Sequence, residues 1–259
     1  MSGDRLSERG HWDALFKGVE LPRKLDFSQH HYRACAEFMR PFLEQKRGGA
    51  LLEAGCGASA WLPYFAGTCG MRVSGLDYSP SGCELAKKNL ELQGMAAEAV
   101  YCADVFEFSP PHAYDVVFSY GVIEHFTDYR RLLSRMAGWL APGGVLLTLV
   151  PNMGGASGWL NRLAVPDVFD MHVRLDRAEL GSAHSDTGLK LLRCDYAGVF
   201  SLAVVPWARS RKAFFLARPV LSLINYSNAL LSKVCNVMPE FGTALLSPYI
   251  MAAAVRDGK

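Results

Sequence analysis

The 259-residue chain carries 27 Lys and Arg against 25 Asp and Glu, a net charge of +2, and half of its residues are hydrophobic. That balance, with no Lys/Arg run longer than two, argues against a dedicated nucleic-acid binder and leaves apolar residues for one large α/β domain or two small ones. The seven cysteines (35, 56, 69, 83, 102, 194 and 235) form no Cys-x-x-Cys pair, so neither a disulfide framework nor a structural zinc site is expected.

The amino-terminal MSGDRLSERGHWD is polar and charged, unlike a secretory signal. Residues 28–46 place Tyr32, Cys35, Ala36, Met39 and Leu43 at helical spacing, with Pro41 expected to kink or strain the helix. From 49 to 150 strands alternate with helices. GALLEAG is an apolar strand ending in glycines, and MRVSGLDYS is a second. Ser79-Pro80 then reads as a cap and first helical position for a helix that sets Cys83, Ala86 and Leu90 on one face and stops at Gly94. AEAVYCADV and YDVVFSYGVI are the third and fourth strands. DYRRLLSRMAGWLAPGG is a helix with a Pro-Gly-Gly exit, and GVLLTLVP is a fifth, continuously apolar strand of the kind buried in parallel sheets. Such alternation predicts right-handed crossovers and a doubly wound sheet.

Residues 151–188 are richer in Gly, Pro and polar side chains. A strand in LKLLRCDYAG, a helix over 213–237 and a last strand in SPYIMAAAV follow. The apolar stretches at 213–235 and 241–255 are broken by Arg218, Pro219, Asn225, Lys233 and Pro248, so neither makes a membrane-spanning helix of about 20 residues. A reduced, cytoplasmic protein is expected. Its single domain, 1–259, divides into a helical amino-terminal cover (1–48), a core (49–150), a substrate-side strand and cover (151–245) and a returning strand (246–256).

The turn Gly55-x-Gly57-x-x-Ala60, with Asp77 about twenty residues on, fits the spacing of a dinucleotide-binding fingerprint. Glu53 points elsewhere. A carboxylate two residues before the first glycine would repel the phosphates that the next helix terminus attracts. It would instead favour a ligand carrying cations, such as the ammonium and sulfonium of S-adenosylmethionine. Asp77 is placed to accept hydrogen bonds from both ribose hydroxyls. Asp104 could accept one from an adenine amino group, with Val105 donating its backbone N–H to the ring. All three acids fall at carboxyl ends of strands, where open α/β sheets bind ligands.

LLEAGCGAS, GLDYS, ADV, YDVVFSYGVIEHF and LAPGGVLLT, in that order, resemble the motif series of class I S-adenosylmethionine-dependent methyltransferases. The similarity is to the small-molecule branch that includes ubiquinone-type O-methyltransferases, and it covers residues 49–150 in detail. It implies a mostly parallel seven-stranded sheet whose antiparallel last strand, SPYIMAAAV, inserts beside the strand at 189–195. It also implies a cofactor lining of Glu53, Gly55, Cys56, Gly57, Asp77, Tyr78, Asp104, Val105 and Ser119 or Tyr120, with S-adenosylhomocysteine as product. Cys56 reads as a small filler beside the turn rather than a nucleophile.

Methyl transfer from a sulfonium asks mainly for in-line placement, with a general base helping a hydroxyl acceptor. His125, just after the fourth strand, is the leading candidate base, with a structural histidine the alternative. His172, in FDMHVRLDRAEL, is the second candidate, with a surface loop histidine the alternative. Gly121 stands where ubiquinone-type relatives can carry an additional acid serving a divalent metal, so no metal is expected. The expected acceptor is a small or lipid-like molecule, most often methylated at oxygen. VFSLAVVPW and AFFLARPVLSLINY, with Arg209, Arg211, Lys212 and Arg218, raise a greasy acceptor pocket or peripheral membrane contact, against an ordinary covering helix, which is favoured. The other readings are a catalytically silent cofactor-binding subunit and a protein or RNA methyltransferase. No nucleic-acid partner is expected.

Overall fold

The computed structural model describes residues 4–199 and 242–258, together with 201, 204, 205, 230, 233 and 234. The apolar segments of the core become parallel strands β1 (Ala50–Ala54), β2 (Arg72–Asp77), β3 (Ala99–Cys102), β4 (Tyr114–Tyr120) and β5 (Leu140–Pro151), and β6 (Lys190–Ala197) and β7 (Tyr249–Val255) complete the sheet. The order is β3-β2-β1-β4-β5-β7-β6, with β7 antiparallel to both of its neighbours. This is the expected seven-stranded sheet, and it places the chain among open α/β folds whose ligands gather at the carboxyl ends of the strands.

Side chains alternate between the two faces, and each face is covered by its own helices. Leu52, Val117 and Leu146 join Leu132, Leu133 and Met136 of α5 (Tyr129–Gly138) and Leu180 and Ala183 of α8 (Arg177–Ser185). Leu51, Val116 and Leu147 meet Phe38 and Met39 of α2 (His30–Glu44), Trp61, Leu62 and Phe65 of α3 (Trp61–Gly67), and Ala86 and Leu90 of α4 (Pro80–Glu91). Each fully buried aliphatic or aromatic side chain contributes about 1.5–3 kcal/mol, which is what holds these short elements in place. α2 runs through Pro41 to Glu44, because Phe38, Met39 and Leu43 remain packed on either side of the missing hydrogen bond. α4 begins as expected: Ser79 Oγ accepts from the Gly82 N–H, Pro80 takes the first helical position, and Gly94 lies beyond its end at φ +70°.

Two elements differ from the sequence reading. Pro142-Gly143-Gly144 is not a helix exit but part of β5, which starts at Leu140 opposite Tyr114 and slips register before Val116. Gly143 sits at φ +73°, and a Cβ on Gly144 would lie 2.8 Å from the Ala141 carbonyl, so the irregularity requires the two glycines. Residues 151–188, read as a polar variable segment, form α6 (Ala156–Ala164), α7 (Pro166–Asp170) and α8. α8 carries a capping box in which Asp176 accepts from the Glu179 N–H and Glu179 accepts from the Asp176 N–H. The helix expected over 213–237 lies outside the described residues except at 230, 233 and 234, as do Arg209, Arg211, Lys212 and Arg218. Among the described residues no helix is long and apolar enough to cross a membrane.

Candidate active site

β1 delivers the chain into a turn that only glycine can make. Gly55 has φ +78°, and a Cβ there would run into Cγ2 of Val122. A Cβ on Gly57 would strike the Phe16 ring and stand 2.8 Å from Asp77 Oδ2. Gly55→Ala is therefore expected to cost about 2–5 kcal/mol through left-handed strain and overpacking, read as a lower urea midpoint at unchanged slope. An unaltered midpoint would show that the turn is softer than its geometry implies.

Glu53, 1% exposed, is held at the floor of this turn. Its Oε1 accepts from Ser59 Oγ at 2.7 Å, while Oε2 has no partner. Burial pushes its carboxyl up to about 8, with the nearby Asp77 adding to the rise and the Ser59 bond opposing it. Ser59 Oγ also accepts from the N–H groups of Trp61 and Leu62, tying the same contact to the start of α3. Cys56 faces backwards. Its sulfur packs against Gly75 of β2, where an added Cβ would lie 2.5 Å away, so it supports the turn from behind and does not wall the cavity.

At the end of β2, Asp77 Oδ2 accepts from the Gly57 N–H at 2.9 Å and Oδ1 from the Ser79 N–H at 2.8 Å. Burial nevertheless raises its carboxyl above the usual range. Tyr78 lies under the Arg5 guanidinium at 4.2 Å, and Arg5 Nη2 pairs with Asp104 Oδ2 at 2.6 Å. Asp104 thus faces Arg5, and its neighbour Val105 lines the cavity. At the end of β4, Ser119 and Tyr120 point to opposite faces. The Tyr120 ring lines the cavity and its hydroxyl meets that of Tyr249 at 3.1 Å, whereas Ser119 is buried away from it.

Beyond β4 a single 3₁₀ turn, Ile123–His125, carries the acceptor-side groups. His125 Nδ1 lies 2.9 Å from the Met171 carbonyl and His172 Nδ1 2.6 Å from the Val168 carbonyl. A carbonyl can only accept, so each Nδ1 carries the proton and each Nε2 keeps its lone pair. The two rings are 4.5 Å apart. Burial, and then the neighbouring His172, push His125 down to about 3, so it is neutral through the physiological range; burial also lowers His172. Glu124, 1% exposed with Oε2 unpartnered, is pushed up to about 8 by burial. Donor atoms of Glu124, His125 and His172 all lie within 4.8 Å of one another.

A cavity of about 470 Å³ joins the two ends, a volume suited to a small ligand and its co-substrate. Its wall includes Glu53, Gly55, Gly57, Asp77, Tyr78, Val105, Tyr120, His125 and His172. Residues from the segment expected as an amino-terminal cover (1–48) line part of the cavity. In α2, His30 and His31 are buried and Tyr32 reaches the cavity. The mouth is closed by residues 4–16. Arg5, Trp12, Leu15 and Phe16 line it; Leu6 donates its N–H to the His125 carbonyl, and Trp12 sets its ring edge-on to His125 at 5.0 Å. The sequence reading placed a helical cover over residues 1–48 without marking Arg5, Leu15 or Phe16. The i, i+3, i+4 spacing of Trp12, Leu15 and Phe16 in α1 (Arg9–Phe16) was the available signal. His184, with Nε2 on Thr148 Oγ1 and Nδ1 on the Leu180 carbonyl, is a core histidine.

A doubly wound sheet closed by an antiparallel seventh strand, with acids at the ends of β1 and β2 and a glycine turn between them, defines the class I methyltransferase fold. The chain belongs to the methyltransferase-domain family, whose model matches residues 27–193. It is 33% identical over 154 residues to the ubiquinone biosynthesis O-methyltransferase of Bradyrhizobium sp. (strain ORS 278), a match covering 57% of this chain and 59% of that relative. The match thus spans little more than half of that relative's length. Haemonchus contortus phosphoethanolamine N-methyltransferase 2, solved in complex with S-adenosyl-L-methionine, shares the fold over 96% of this chain and 57% of its own, with TM-score 0.59 and 17% identity. So does a protein solved in a study of disulfide-to-thioacetal conversion during echinomycin biosynthesis, over 97% and 94%, with TM-score 0.61 and 20% identity.

Proposed function

We propose that the chain, as one domain over 1–259, transfers the methyl group of S-adenosylmethionine to an oxygen of a small or lipid-like acceptor by in-line displacement. The observation that carries this reading is that one cavity joins the Glu53 turn and Asp77 to the His125–His172 pair. Glu53 meets the ammonium of the cofactor, Asp77 the ribose hydroxyls, and Val105 and Asp104 the adenine edge, while Cys56 and Ser119 act only as packing behind that wall. The name of the Bradyrhizobium relative supports oxygen as the acceptor atom.

In-line placement supplies much of the acceleration, because the sulfonium is already a good leaving group. As the new C–O bond forms, the acceptor hydroxyl becomes an oxonium, a far stronger acid than imidazolium. A neutral His125 therefore serves as proton acceptor despite its low basicity, with the Met171 carbonyl fixing its ring. His125→Ala is expected to lower kcat by about 10²- to 10⁴-fold while the affinity for S-adenosylhomocysteine stays within about threefold. Loss of that affinity would instead assign His125 to the cofactor.

Methyl-labelled S-adenosylmethionine incubated with a host extract tests the whole reading. Label in an organic extract supports a lipid-like acceptor, and label in small aqueous molecules supports a polar one. Label in macromolecules overturns the acceptor class. No label in any fraction from an enzyme that binds S-adenosylhomocysteine, across extracts of several growth states, would favour a silent cofactor-binding subunit.

A further inference from the structure

We propose that Cys83 and Cys102 form a redox-modification site, at which peroxide closes a disulfide beside the cofactor wall and weakens the hold on the cofactor. The covalent step goes beyond the methyl-transfer reading above; its effect on the cofactor rests on that reading. Cys83 stands in the first turn of α4, just after the Ser79 cap, and is 4% exposed. Cys102 ends β3 opposite Asp77 of β2 and is exposed. The two thiols are in hydrogen-bonding contact. Together they bracket the strand end that carries Asp77. Cys83 Sγ lies 3.4 Å from the Asp77 carbonyl and 3.5 Å from the Tyr101 carbonyl, and Ala103 donates its N–H to the same Asp77 carbonyl at 3.0 Å. Asp104 and Val105, assigned above to the adenine edge, follow directly in the chain.

The two thiols differ in role. Burial, and then the Cys102 thiolate, push the Cys83 thiol up to about 12, so Cys83 is not the group that meets the oxidant. The exposed Cys102 is. Its sulfur takes one oxygen from hydrogen peroxide, giving a sulfenic acid and one water. The Cys83 sulfur then attacks that of Cys102, the S–O bond breaks, and the hydroxyl leaves with the Cys83 proton as a second water. Two thiols are oxidised and one peroxide is reduced. Conversion of Cys102 to the sulfenic acid also removes a charge that opposes ionisation of Cys83. A disulfide is about 2.05 Å long, so the sulfurs close by roughly 1–2 Å and draw the end of β3 towards α4. The S–H that faced the Asp77 and Tyr101 carbonyls is lost in the same step. Both changes act on the strand ends that set Asp77, Asp104 and Val105, the groups that meet the ribose and the adenine.

The test reads the bond and its consequence separately. Reduced full-length protein is treated with hydrogen peroxide, its remaining thiols are capped with N-ethylmaleimide, and the unreduced digest is examined by mass spectrometry. The expected product is a linked Cys83–Cys102 peptide that dithiothreitol releases. S-adenosylhomocysteine affinity, measured calorimetrically on the same samples, should fall at least about tenfold on oxidation and return on reduction. Cys102→Ser should form no such link and keep its affinity within about threefold after peroxide. Cys83→Ser should stop at a Cys102 sulfenic acid, which dimedone traps. Absence of the linked peptide from wild type, a link from either cysteine to a different partner in its place, or a link that leaves the affinity unchanged overturns the proposal. Both variants, when reduced, should bind S-adenosylhomocysteine as wild type does, which separates loss of the link from a failure to fold. If wild type forms the link but binds no S-adenosylhomocysteine even when reduced, the methyl-transfer reading fails and the disulfide site stands.

Discussion

Asp77→Ala is expected to weaken S-adenosylhomocysteine binding by at least about 100-fold. Two hydrogen bonds from ribose hydroxyls to an ionised carboxylate are worth roughly 1.5–3 kcal/mol each, and a tenfold change in affinity is about 1.4 kcal/mol. The structure adds a second reason. The same carboxylate gathers the N–H groups of Gly57 and Ser79, so its removal also loosens the two turns that the ligand must meet. Calorimetric titration measures the affinity, and the thermal midpoint of the ligand-free variant separates lost contacts from lost structure. Undiminished affinity in a folded Asp77→Ala variant would remove Asp77 from the cofactor site.

Glu53 should make both stability and ligand binding depend on pH. Its folded carboxyl is raised from 4.5 to about 8, so folding disfavours the ionised form. The contribution to stability is therefore fully present below about pH 4.5 and is lost as pH rises towards 8, by roughly 1.4 kcal/mol for each pH step between those limits. Above about pH 8 it is level. Glu124, raised to about 8 by burial, acts in the same direction. The ligand-free protein is expected to melt several degrees lower at pH 8.5 than at pH 5.5, and Glu53→Gln should flatten much of that slope. An ammonium placed beside Glu53 reverses the preference. At pH 7 binding of S-adenosylhomocysteine should then release up to about one proton from wild type and none from Glu53→Gln, whose affinity falls about 10- to 100-fold. Titrations in buffers of different ionisation enthalpy count that proton. Equal proton release by both proteins, with equal affinity, would place the ammonium elsewhere.

The parts of the site that were legible in the sequence are those whose chemistry is local. Glu53, Gly55 and Gly57 lie within five residues, and the demands on them, a left-handed turn and a close approach, are met by residue type alone. Ser79-Pro80 and Gly94 announced both ends of α4 for the same reason. The insertion of β7 between β5 and β6 followed from family resemblance and not from pattern, since seven apolar residues do not state their neighbours. The Pro-Gly-Gly of β5 misled because its glycines serve a register slip opposite Tyr114, a contact with another strand.

Arg5 shows the limit most clearly. Nothing in the polar amino-terminal stretch marks a guanidinium that pairs with Asp104 and lies over Tyr78. His125 and His172 were each visible as candidates, but 47 positions apart they carried no sign that their rings would stand 4.5 Å from one another with Glu124 beside them. The sequence by itself determined the strand–turn–helix rhythm and the acids at the strand ends, because backbone geometry and near-neighbour spacing are encoded locally. Tertiary structure alone decided which carboxylate oxygens are buried without a partner, which histidines share a wall, and which segment lines the mouth. Those outcomes depend on desolvation and on contacts between distant segments, and they exist only once the sheet has brought its loops to one edge.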